Sequence, residues 1–382
     1  MTHAIVLLHG MGKYGSVETG KYVPDTDGWL SQAARCLDSQ FDEVVRPVLG
    51  YAASATRPYI VVPINYDSTF DRFRDAWASQ AERWSELSAS IDGIDLVGGS
   101  GIPNLVDGLR GLFSGVGDVD NFAWTHLADV ALYLAPIVRA QVEADVWVQV
   151  GDRLGDAFSR QGVTGWSLLG HSLGTLVTLD LLNKFVSDEF AQRYPNVRPP
   201  RTACLLANVA QFLTRGVPNI YSTRIKPGSD RAPRSLLSFS HKFDVLAQLE
   251  PFEAPWGRGY VQDNGPADVY LSEVQIGDDD FRSIDWGGAL LSIGGLPHEF
   301  SHYMKQPPVC AAFWTRILKM ESRESRLQAA AAEKYAGELQ AEIKHRLEIK
   351  ARTYLAEWAG SRYFENGLTL KALRRAVTRG LT

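Results

Sequence analysis

A chain of 382 residues, 45% hydrophobic and 22% charged, can bury a large core as one big domain or two smaller ones. Its 39 Lys and Arg against 44 Asp and Glu leave a net charge of −5, and no basic stripe is interleaved with aromatics, which argues against nucleic acid as a partner. The three cysteines, Cys36, Cys204 and Cys310, are far apart and odd in number; this argues against a disulfide framework or a cysteine zinc site and suits a reducing, cytoplasmic compartment.

The first element is the run AIVLLHG, aliphatic throughout and ending in Gly, as expected of a strand buried on both faces of a parallel sheet. The same stretch, with no basic region and no small-residue cleavage site, does not read as a signal peptide. DGWLSQAARCLDSQF follows as a helix, with Asp27 available to cap it. YIVVPINY (59–66) reads as a second strand, and its Pro63 suggests an edge or a bulge. VTGWSLLG (163–170), TACLLANV (202–209) and SLLSFSHKF (235–243) are three more short apolar runs, and ALLSIGG (289–295) is a weaker sixth. Helical patterns lie between several of them, including SLGTLVTLDLLNKFVSDEF (172–190). Strands alternating with helices indicate an α/β fold with a mostly parallel sheet flanked by helices.

Two regions fall outside that alternation. Between the strands at 59–66 and 163–170 lie far more residues than a crossover needs, including an amphipathic stretch at 69–90 and an apolar, Gly-dense segment at 93–117. We expect a cap insertion over about 68–150, packed on the core or covering a pocket. ADVALYLAPIV (128–138) contains a proline and is too short to span a membrane. The second region is the tail, a helical extension over 319–382 beyond a main domain of 1–318. From Trp314 to Trp358 it is rich in helix formers with Gly337 as its one breaker, and Leu339, Ile343, Leu347, Ala351 and Leu355 share a face. That face must pack on the body or on a second copy, so a homo-oligomer through this helix is one expectation.

The strongest chemical signal is Gly170-His171-Ser172-Leu173-Gly174, with an apolar strand running into it and a helical pattern leaving it. A serine on such a tight strand-to-helix turn presents its Oγ above the sheet edge, at a helix N-terminus. His9-Gly10-Met11-Gly12 follows the first strand, where a loop of backbone donors for a developing oxyanion would be needed. The N–H groups of Leu173 and Met11 are the candidate donors, and His9 fixes the loop rather than acting as a base.

LLHGMG and LLGHSLGTL resemble the α/β-hydrolase superfamily in its lipase- and esterase-like branch, with short matching stretches from residue 4 to about 307. The resemblance implies a serine esterase with its triad in the order Ser, acid, His, and no metal or organic cofactor. Because HGMG comes so early, it also implies a sheet without the first two strands of the full fold. FDVLAQL is similar to the family's acid turn and places Asp244 as the acid; Asp263 and Asp268 are distant rivals. The family often shows a His five residues before a Tyr, and His298 with Tyr303 fits; His302 is the alternative base. The apolar 93–117 segment points to a small apolar ester or a lipid as substrate.

Residues 298–302 also read as H-E-x-x-H, the pattern of zinc peptidases, in which both histidines share a helix and face one metal. No recognisable third ligand follows: Lys305 stands where one extended form of the motif needs Gly, and Glu321 and Glu324 qualify only by distance. A third alternative is a hydrolase fold without catalysis, serving as a scaffold through its helical tail.

Overall fold

The computed structural model describes residues 2–9, 15–18, 21–24, 28–70, 72–73, 133, 135–185, 187–213, 225, 231–241, 244, 247, 270–276, 298–339 and 341. Most of the expected cap, the 93–117 segment, the weak strand at 289–295 and the tail beyond 341 lie outside these residues, as do Asp263 and Asp268.

Among the described residues six strands form one parallel sheet: β1 (Thr2–Leu8), β4 (Tyr59–Ile64), β5 (Val163–His171), β6 (Thr202–Leu206), β7 (Ser235–His241) and β8 (Tyr270–Ile276), in the order β4-β1-β5-β6-β7-β8. A separate antiparallel hairpin pairs β2 (Gly15–Glu18) with β3 (Lys21–Pro24). Strand β8 is not among those read from the sequence. Its sequence is YLSEVQI, in which the adjacent Ser272 and Glu273, and then Gln275, break up the apolar run and hide it from a search for apolar segments. Pro63 sits in β4, at the end of the order, where a missing N–H breaks no ladder on the outer side. Arg153 donates to the Pro63 carbonyl, and the Gln149 amide bonds both the N–H and the C=O of Asn65, so side chains cover part of that edge.

Side chains alternate across the sheet, and a helical layer covers each face. On one side Ala4, Val6, Leu8, Leu168 and Leu205 meet α3 (Pro136–Arg160) and α4 (Leu173–Phe185). The stripe Val138, Val142, Val146, Val150 and Leu154, one residue every turn, is what presses α3 onto the strands. Residues 136–150, read from the sequence as part of the insertion, lie in the amino-terminal part of α3, the helix that leads into β5. On the other side Ile5, Leu7, Leu169, Leu206 and Phe239 meet α1 (Trp29–Gln40) and α8 (Pro307–Leu318).

Helix ends correct three sequence expectations. The N-cap of α1 is Gly28, without a side-chain bond, so Asp27 does not occupy the capping position. The helix read over 172–190 is two helices, α4 and α5 (Asp188–Arg193). The tail breaks at Lys319, which takes φ 60 and ends α8, and not at Gly337, which lies inside the helical run 324–339. Leu327, Ala331, Tyr335 and Leu339 of that run are buried in the same core as α1 and α8, so this part of the tail packs on the body. No helix of the described residues is long and apolar enough to cross a membrane.

Near the amino end of β1, His3 is buried and its Nε2 lies 2.9 Å from Ser167 Oγ. Burial, with the nearby charges of Arg201 and Lys319, pushes its pKa down to about 3. The folded chain thus stays unprotonated at a site where the unfolded chain binds a proton below about pH 6.5, and stability falls as pH drops through that window. At about pH 5 the loss from this one group is about 2 kcal/mol. Urea unfolding at neutral and acid pH should show that His3→Gln loses less stability on acidification than wild type by about that amount. Equal losses would remove His3 from the acid response.

Candidate active site

Strand order places the site. The chain leaves β1 for β4 on one side and then returns past β1 to build β5, β6, β7 and β8 on the other. Strands β1 and β5 are neighbours whose next strands, β4 and β6, lie on opposite sides, and it is at such a switch, outside the carboxyl ends of the strands, that open α/β sheets leave a crevice.

Ser172 is the single residue between β5, which ends at His171, and α4, which begins at Leu173. It adopts φ 55, a left-handed conformation costly for a residue with a Cβ, and its N–H bonds Leu206 O at 3.0 Å. The two glycines around it are required by close approach. A Cβ on Gly170 would lie 2.3 Å from Thr178 Oγ1, and one on Gly174 would lie 2.4 Å from His9 O and 2.5 Å from Leu8 O. The start of α4 is thus pressed against the last carbonyls of β1. Leu173 is the first residue of α4, so its N–H is among those with no acceptor inside the helix. Met11, the other candidate donor, lies outside the described residues with Gly10 and Gly12.

His9, where that loop departs, is held from several sides. Its carbonyl accepts from the Tyr66 hydroxyl, its ring stacks on Tyr66 at 4.1 Å, and its Nε2 lies 3.5 Å from Asp67 Oδ1. No motif in the sequence marks Tyr66 or Asp67 for this place.

His298 Nε2 is 2.8 Å from Ser172 Oγ, and its Nδ1 is 2.9 and 2.8 Å from the two oxygens of Asp244. A carboxylate can only accept, so Nδ1 carries the ring's proton and Nε2 accepts from the serine hydroxyl. Asp244 follows β7 and is fully buried, with its N–H bonded to His241 O at 2.9 Å. Burial alone would raise its carboxyl. The charge and hydrogen bond of His298, the Tyr303 hydroxyl at 2.8 Å and the Ala247 N–H at 3.2 Å outweigh that and hold it below the ordinary carboxylate range. Tyr303 itself is pushed well above its ordinary value by burial and by the Asp244 charge, so it remains a donor. The sequence marked Tyr303 only by its spacing from His298; the structure makes it a ligand of the acid.

The alternative base, His302, is elsewhere. It lies in α7 (Phe300–Lys305), fully buried, with its Nε2 3.4 Å from His241 Nε2 and 3.3 Å from Gln306 Nε2. His298 precedes that helix, whose N-cap is Glu299, so the two histidines of H-E-x-x-H do not share a helical face. Among the described residues no three His, Cys, Asp or Glu side chains gather closely enough to hold a metal ion. Glu321 and Glu324 instead pair with Arg316, and Glu321 also with Arg201.

What the arrangement can do chemically is withdraw a proton from a strained, positioned hydroxyl and return it. The chain matches no family model, no curated protein and no solved structure.

Proposed function

We propose that this chain is a serine hydrolase of the α/β-hydrolase kind that cleaves carboxylic esters. The observation that carries the reading is the unbroken hydrogen-bonded chain from Ser172 Oγ through His298 to buried Asp244, on a strand-to-helix turn at φ 55.

In this mechanism Ser172 Oγ attacks the ester carbonyl while His298 Nε2 takes its proton. Asp244 keeps the ring in the tautomer that leaves Nε2 bare, and its charge stabilises the imidazolium that forms. The tetrahedral oxyanion is met by the Leu173 N–H and, in the fuller form of the proposal, by that of Met11. Collapse expels the alcohol, which receives the proton from His298. Water, deprotonated by the same ring, then attacks the acyl-enzyme and releases the acid, restoring Ser172. The apolar 93–117 segment favours a small apolar ester or a lipid as substrate.

The test is intact mass after treatment with a fluorophosphonate. Wild type should gain one adduct, Ser172→Ala none, and a chelator should change neither result. Folded wild type that gains no adduct would sink the proposal and bring the scaffold reading forward; adduct formation lost on chelation would bring the zinc reading forward.

A further inference from the structure

We infer that His171 is a positioning residue for the base: its Nε2–H, donated to the main-chain oxygen of His298, fixes where the His298 ring stands relative to Ser172. The inference rests on the hydrolase reading above.

His171 Nε2 lies 2.7 Å from His298 O, the carbonyl of the base itself. A carbonyl only accepts, so Nε2 carries the proton of the His171 ring. The ring is buried, stacked on Trp29 at 5.5 Å and set edge-on to Phe300 at 5.8 Å and Tyr303 at 6.5 Å. These contacts leave it little freedom to turn. Asp244 fixes the rotation of the His298 ring through Nδ1, but a bond to the side chain does not hold the backbone from which the ring hangs. The His171 bond does, and it links the residue just before the nucleophile directly to the base.

Charge explains why a histidine suits this place. The two imidazole rings are 5.3 Å apart, and His298 becomes cationic during turnover. A Lys or Arg could donate to the same carbonyl, but its charge would oppose the imidazolium. His171 donates as a neutral ring: burial, and next the His298 charge, push its pKa to about 3. Misplacing a reacting group by about 1 Å can cost about 100-fold in rate, so a donor that acts only on position can have a large effect.

Two substitutions separate the hydrogen bond from the packing. His171→Phe keeps an aromatic ring on Trp29 and loses the donor. His171→Gln keeps an amide N–H near the place of Nε2 and loses the stack. The measurements are the rate of Ser172 modification by a fluorophosphonate, kcat and KM on p-nitrophenyl butyrate, and thermal melting of each variant. His171→Phe should lose about 30- to 100-fold in modification rate and kcat with KM within about twofold. His171→Gln should recover to within about fivefold of wild type. Should His171→Phe lose its cooperative melt, His171→Met, which also lacks the donor, takes its place. Nitrogen NMR of the wild-type ring should show the proton on Nε2. A ring protonated on Nδ1, or a donor-less variant as active as His171→Gln, overturns the inference while Ser172 is still modified. Wild type that is not modified at Ser172 overturns the hydrolase reading and this inference together.

Discussion

Replacing Asp244 by asparagine should lower kcat for ester hydrolysis about 10⁴-fold and change KM little. Three donors converge on the Asp244 carboxylate: His298 Nδ1–H, the Tyr303 hydroxyl and the Ala247 N–H. An amide has one acceptor oxygen and one donor group, so it cannot receive all three. The least costly rearrangement turns the His298 tautomer, so that Nδ1 accepts from the new amide and Nε2 carries the proton. That nitrogen can no longer take the proton of Ser172, although no atom has moved far. Fluorophosphonate modification of Ser172 should slow in parallel, because it uses the same step. Melting should stay cooperative, which separates lost chemistry from lost fold. An Asp244→Asn protein within tenfold of wild type would show that the carboxylate does not set the tautomer.

Gly174→Ala should destabilise the chain by about 3 kcal/mol or more, at the upper end of what overpacking a core costs. The added Cβ would meet His9 O at 2.4 Å, Leu8 O at 2.5 Å and His9 C at 2.9 Å, all main-chain atoms that no rotamer change can withdraw. Relief requires the end of β1 to part from the start of α4. His9 would then move away from the start of α4 beside Ser172, so any folded fraction should lose kcat more than affinity. Gly155→Ala is the control. It lies in α3 with no atom of the described residues within 4 Å of its Cβ position, and there the substitution should stabilise by up to about 1 kcal/mol. Urea midpoints of the two variants should therefore move in opposite directions. Equal shifts would mean that the contact with β1 is not what demands a glycine at 174.

The parts legible in the sequence are those set by neighbours along the chain. A run such as AIVLLHG can satisfy a strand buried on both faces and little else, and Gly-x-Ser-x-Gly between an apolar run and a helical pattern is a local turn requirement. For the same reason β1, β4, β5, β6 and β7 fall within two or three residues of their expected limits. Strand β8 escaped because polar residues interrupt its apolar pattern, so composition alone did not separate it from a loop.

What only the tertiary structure decided are the choices between side chains of equal local standing. His298 and His302 are four residues apart and similar in context, yet α7 begins between them, sending one to Ser172 across 126 positions and the other to His241. Tyr66 on His9, Tyr303 on Asp244 and His171 on His298 O belong to the same class. A hydrogen bond closes over about 3 Å, whereas its partners stand tens of residues apart along the chain, so the helix-covered sheet alone determines which of them meet.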